Sequence, residues 1–200
     1  LYVKLVHIST DHLFSGSLSY YHEQSKTEPL NVYAKTKLQS EIKVLAEHSN
    51  SIIVRTNFFC WGTPYKSSFS DFVIDSLRES KSIACFDDVF HTPIISSELV
   101  KIVHKLIESD ARGIFNVASD ERISKYKFSL LIAECFNLDV GLINSCSIES
   151  SNNTVKRPLD MSLSNNKTTQ FLAYAFKNLK DQIIALKKNE ASWKREIFSY

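Results

Sequence analysis

Apolar residues fall into short β-branched runs that alternate with helical stripes. Val3–Ser9 (VKLVHIS), Ser51–Thr56 (SIIVRT), Ser82–Phe86 (SIACF) and Gly113–Ala118 (GIFNVA) each predict a short buried strand. Helices are predicted from Asn31, a capping residue, to about His48, with Val32, Leu38, Ile42 and Leu45 along one side, and again over Phe69–Glu79 and Ser97–Glu108. Another is predicted over Lys125–Phe136, capped by Ser124. Thr10–Leu30 is polar and aromatic, too long for a simple turn, and therefore a candidate functional loop. Beyond about residue 145 the chain turns polar and irregular. One amphipathic helix follows near Thr168–Leu186, with Phe171, Leu172, Ala175, Leu179 and Ile183 on its apolar side, extended by Trp193, Ile197 and Phe198.

Strand and helix alternate about four times, which argues for an α/β architecture with a mostly parallel sheet, because parallel neighbours need crossover helices. Ligands of such sheets bind beyond the carboxyl ends of the strands. The loops beginning at Thr10, Asn57, Asp87 and Ser119 are therefore the places to search.

Composition narrows the chemistry. The 200 residues hold only four glycines, Gly16, Gly62, Gly113 and Gly141, against the roughly 7% typical of proteins. None are clustered, so neither a dinucleotide-binding fingerprint nor a P-loop lies within this sequence. The sole methionine is Met161 and the chain opens on Leu1, so a processed chain or the later part of a longer protein is expected. The net charge is +2, with the basic excess in the tail. There Lys177, Lys180, Lys187, Lys188 and Lys194 are spaced like the wet face of a helix, and no nucleic-acid partner is expected. No apolar run is long enough for a membrane span. Cys60, Cys85, Cys135 and Cys146 lack metal-ligand spacing and sit among apolar neighbours; reduced, buried thiols and a cytoplasmic location are expected. Asn152 and Asn166 begin N-x-T triplets, which mean nothing without secretion.

Tyr33 and Lys37, four residues apart, project from one helix face. An ammonium beside a phenol favours the phenolate, so the pair suits proton transfer. On spacing alone a surface Tyr and Lys of an amphipathic helix is the favoured reading, since about 0.7 such pairs arise by chance in a chain of this composition. Ser9, Thr10 and Asp11 add hydroxyls and a carboxylate where the first strand ends; capping is their structural alternative.

Whole motifs sharpen this. His7–Phe14 (HISTDHLF), Glu28–Glu41 (EPLNVYAKTKLQSE), Val54–Asn57 (VRTN), Asp87–Pro93 (DDVFHTP), Arg112–Asn116 (RGIFN) and Lys156–Lys167 (KRPLDMSLSNNK) occur in an order that resembles the dTDP-4-dehydrorhamnose reductase family of extended short-chain reductases. The resemblance implies the C-terminal part of a Rossmann-like parallel sheet plus a small substrate-binding region. Residues 1–118 would be the rest of the NAD(P)-binding domain, and 119–200 mainly the substrate-binding region and C-terminal helix. It further implies that NADP or NAD is the cofactor and a nucleotide-linked 4-keto sugar the substrate. The glycine-rich first half of that family pattern has no counterpart before Leu1, so the 200 residues alone would hold cofactor poorly.

Roles follow from the same resemblance. Thr10 matches the hydroxyl that orients the sugar carbonyl, with Ser9 as alternative. Tyr33 matches the general acid, and Lys37 the residue that binds the nicotinamide ribose. Ser9, Thr56, Asn57 and Phe58 would flank the cofactor, while Asp11, His12, Phe58, Pro93 and Arg157 would face substrate. Arg157 is equally an ordinary loop arginine. The sequence departs from the family pattern at Ala34, where Gly is usual, at His12 and Phe58, where Tyr and Trp are usual, and at Phe90–His91, where a glycine turn is common. Most of these departures surround the sugar nucleotide. The resemblance extends to the regulatory subunit of methionine adenosyltransferase, notably over Ile114–Asn137. It therefore leaves open a non-catalytic subunit serving a partner enzyme, a homodimer, and a truncated inactive product.

Overall fold

The computed structural model describes residues 3–63, 65–150 and 155–193. Leu1, Asn152, Lys194, Ile197 and Phe198, on which some expectations rest, lie outside them. The elements are β1 (Val6–Ile8), α1 (Val32–Glu47), β2 (Ile52–Arg55), β3 (Phe58–Phe59), α2 (Phe69–Arg78), β4 (Ile83–Phe86), β5 (Phe90–His91) and β6 (Ile94–Ile95). Then come α3 (Ser96–Glu108), β7 (Gly113–Asn116), β8 (Ile123–Ser124), α4 (Lys125–Phe136), β9 (Ile143–Cys146), α5 (Asn166–Leu172) and α6 (Leu179–Lys188).

The α/β class holds. β1, β2 and β7 form a parallel sheet in that order, with Ile52 opposite both Val6 and Gly113. β2 is buried on both faces, as expected of a covered parallel strand. Ile52 and Val54 pack with Leu99, Ile102 and Leu106 of α3 and with Phe115. Arg55 points to the other face, toward α1. A second core gathers Phe59, Trp61, α2, β4, α4, β9 and α6. β4 and β9 pair in parallel outside the main sheet, and β9, just before the polar stretch, is a strand that the sequence pattern does not predict.

Caps fix the helix starts. Asn31 Oδ1 accepts from Ala34 N–H, Ser68 and Asp71 close a reciprocal capping box, and Ser124 Oγ accepts from Lys127 N–H.

Three expectations are corrected. The tail is two helices, because Ala173 adopts a left-handed backbone (φ 48) and ends α5. Phe171 and Ala175 are consequently exposed, while Phe176 joins the sheet core and Leu179, Ile183 and Leu186 the second one. On α1, Val32 and Ile42 are exposed, and its buried residues are Ala34 and Glu41. The cysteines are free thiols, but only Cys85 is buried.

Candidate active site

The loop leaving β1 is held in place by the sheet and by the segment after Arg157. Asn116 at the end of β7 donates through Nδ2 to the carbonyls of Tyr21 (2.9 Å) and Ser164 (3.0 Å), and its N–H donates to Glu23 Oε1 (2.8 Å). Tyr21 and Phe14 stack at 4.2 Å between centroids. Gly16, at φ +82, lies so close to Pro158 and Leu159 that a Cβ would meet their atoms at 2.6–2.8 Å.

Eight expected residues line one cleft of about 210 Å³: Ser9, Thr10, Asp11, His12, Tyr33, Thr56, Asn57 and Phe58. The exits of β1 and β2 supply all but Tyr33, which α1 brings over them. Lys37, one turn on, donates to the carbonyl of Ile8 at 2.6 Å, tying α1 to the strand end. His12 meets the Tyr33 ring edge-on, 6.0 Å between centroids. Thr10 Oγ1 accepts from His12 N–H and donates to Asp11 Oδ1, each at 3.3 Å. Asp11 is 1% exposed and takes a hydrogen bond from Asn57 Nδ2 at 2.6 Å. Burial pushes its carboxyl above the usual range, against the opposing pull of His12 and that hydrogen bond.

Three buried polar atoms of this cleft, Ser9 Oγ, His12 Nδ1 and Thr56 Oγ1, have no hydrogen-bond partner. Such groups cost free energy unless something satisfies them. They fit the polar end of a nicotinamide nucleotide and a carbonyl-bearing substrate. Pro93 is buried next to Ile94, whose N–H donates to the carbonyl of Asn57 at 3.0 Å, and it does not line the cleft. Arg157 is exposed and likewise outside that lining; its charge is felt by Lys125.

Sequence reasoning missed two residues here. Glu41 on α1 pairs with Arg55, which no local pattern reveals. Lys125 opens α4, where a cation opposes the helix dipole, and that was the available signal. No group of three metal-ligating side chains occurs among the described residues, and no described helix is long and apolar enough to cross a membrane.

A parallel α/β sheet with Ser-Thr, Tyr and Lys gathered at its carboxyl edge is a Rossmann-like fold. The RmlD substrate binding domain matches residues 1–190, and the chain belongs to that family. Among solved structures, a "hypothetical dTDP-4-dehydrorhamnose reductase" from Sulfolobus tokodaii is 34% identical, with a TM-score of 0.76 over 88% of this chain and 62% of that one. Among curated proteins, "Probable low-salt glycan biosynthesis reductase Agl14" of Haloferax volcanii is 25% identical over 92% of this chain and 63% of its own length. "Methionine adenosyltransferase 2 subunit beta" of Xenopus laevis is 28% identical over 67% of this chain and 42% of its own. The chain thus spans less than two thirds of each of these relatives.

Proposed function

We propose that the full-length protein reduces the C4 keto group of a nucleotide-linked deoxy sugar, using NADPH or NADH. The observation that carries this reading is the set of unsatisfied buried atoms, Ser9 Oγ, His12 Nδ1 and Thr56 Oγ1, in the cleft that also holds Tyr33. When bound, the reduced nicotinamide supplies the hydride to C4. Thr10 Oγ1 orients the carbonyl. Tyr33 Oη delivers its proton to the C4 oxygen as charge develops there, giving the hydroxyl. Lys37, held at the carbonyl of Ile8, fixes the nicotinamide ribose beside the phenol. Ser9, Thr56, Asn57 and Phe58 contact the cofactor; Asp11, His12 and Phe58 face the sugar, with Pro93 and Arg157 beyond the cleft. In this reading residues 1–118 serve cofactor and chemistry, and 119–200 serve the substrate.

The test is oxidation of NADPH and of NADH by the full-length protein with a dTDP-4-keto-6-deoxy sugar. Tyr33→Phe is expected to cut kcat by about 10²–10⁴, the range of general acid catalysis; equal rates overturn the assignment. The likeness to the methionine adenosyltransferase subunit favours a second reading, a regulatory subunit on the same fold. Recovery of a methionine adenosyltransferase in a pull-down, with no keto-sugar turnover, would establish it instead.

A further inference from the structure

His12 and Asp11 stand beside Thr10 and Tyr33 in the cleft, separated by a gap of particular width. His12 Nε2 lies 3.9 Å from Asp11 Oδ1, too far for a hydrogen bond between the two. It is the right span for one oxygen placed between them. At about 2.8 Å from each atom that oxygen would subtend roughly 90°, an arrangement open to a group that accepts from one neighbour and donates to the other. A hydroxyl does both. A carbonyl or an ether oxygen only accepts.

The two sides of the gap are held apart by the surrounding structure. Asp11, almost fully buried, takes Asn57 Nδ2 on Oδ2 at 2.6 Å and Thr10 Oγ1 on Oδ1 at 3.3 Å. The backbone N–H of His12 donates to that same Thr10 Oγ1, and its ring stands edge-on to Tyr33 at 83°. His12 Nδ1 is buried without a partner, so the only protein group that acts on the ring's proton placement is Asp11, which favours a proton on Nε2. Burial pushes the Asp11 carboxyl above the usual range, and a further donor would offset part of that cost. Because Tyr is usual at position 12 in the family pattern, the imidazole and carboxylate pair is this chain's own feature.

Thr10 bonds to both residues, and in the keto-sugar reading its Oγ1 orients the C4 carbonyl. The group that meets the gap is therefore carried by a carbon next to C4. In a 4-keto-6-deoxy pyranose C5 bears the ring ether oxygen and C3 bears a hydroxyl, so only C3 offers a donor. We propose that His12 and Asp11 form a specificity determinant that takes the C3 hydroxyl, His12 Nε2 donating to it and Asp11 Oδ1 accepting from it, and so selects 4-keto sugars with a free hydroxyl beside the ketone. The inference rests on the keto-sugar reading above.

The experiment measures kcat and KM of the full-length protein for a dTDP-4-keto-6-deoxy sugar and for its 3-deoxy analogue, on wild type, His12→Phe and His12→Gln. The quantity read is the ratio of kcat/KM between the two sugars. Wild type is expected to favour the hydroxylated sugar at least about tenfold, the range of a hydrogen bond to a charged group. His12→Phe is expected to bring the ratio to within threefold of unity. His12→Gln, whose amide nitrogen can stand where Nε2 does, is expected to keep it within threefold of wild type. A role confined to packing would slow both sugars alike, so an unchanged ratio in His12→Phe overturns the proposal. A wild-type ratio near unity overturns it while the keto-sugar reading stands, and this result needs no variant to fold. If wild type turns over neither sugar, the keto-sugar reading itself falls and the proposal with it.

Discussion

Arg55 grips Glu41 through three contacts: Nη2 donates to Oε2 at 2.7 Å, and Nε lies 3.0 and 3.2 Å from the two carboxylate oxygens. Both side chains are at most 3% exposed. α1 otherwise buries only Ala34, so this pair is a main tie between β2 and the helix carrying Tyr33 and Lys37, beside the bond from Lys37 to the Ile8 carbonyl. Removing one partner strands the other charge in the interior. Glu41→Gln and Arg55→Met are each expected to lower stability by about 3–5 kcal/mol, measured by denaturant unfolding, and to depress kcat with it. A change under 1 kcal/mol in both would show that α1 is anchored elsewhere.

Asn116 is the second tie, since its side-chain amide alone reaches both Tyr21 and Ser164. Asn116→Ala removes both bonds, but the Tyr21 carbonyl keeps the Ser164 N–H at 2.9 Å, so the expected loss is about 1–3 kcal/mol in all. Limited proteolysis should then cut the Thr10–Leu30 loop faster than in wild type. An unchanged cleavage pattern would mean that the Phe14–Tyr21 stack suffices.

Lys125 sets a pH dependence whose sign follows from its position. In the folded chain its pKa is pushed down to about 8, whereas the unfolded chain holds the proton to the ordinary lysine value of 10.5. Between those values the unfolded state binds more protons, so this residue's contribution makes the protein more stable as pH rises. Cys85 works the other way, because burial raises its thiol. The comparison is therefore between wild type and Lys125→Met, with Asp11, His91, Cys85 and Arg157 present in both. The stability gap should narrow from pH 8 to 10.5; a constant gap would exclude the lowered pKa.

Gly16 and Gly113 form a natural control pair. Both have positive φ, +82 and +83, but a Cβ at Gly16 meets Pro158 and Leu159, while at Gly113 it meets nothing within 4 Å. Backbone strain alone costs about 1–3 kcal/mol. Gly16→Ala is expected to exceed Gly113→Ala in the drop of Tm, and equal drops would show that the loop gives way without cost.

How much of this was legible depended on whether the determinant was local. Ser124 and Asn31 announce α4 and α1 because a cap is a one-turn interaction, and the β-branched run of β2 announces a doubly covered strand. The hydroxyls at Ser9 and Thr10 and the Tyr33–Lys37 spacing could be read for the same reason. What failed was set at long range. The pairing of β4 with β9 joins residues about 60 apart, and Glu41 looks like a surface residue until Arg55 reaches it from 14 residues away. The break at Ala173 carries no Gly or Pro, and the change of core comes only beyond it: Leu172, Tyr174 and Phe176 all pack on the sheet core, and Leu179 is the first tail residue in the second one.

The segment that joins α5 to α6 gives neighbouring positions separate fates. Phe176 and Leu179 stand three residues apart, yet one is seated in the sheet core and the other among α2, α4 and α6. The C-terminal stretch therefore acts as a pair of independent gauges. Truncating the ring at Phe176 loosens the ground under the Ser-Thr strand exit, and shortening Leu179 loosens the ground under Lys125, so damage to the two sides of the cleft can be read separately from one short piece of chain.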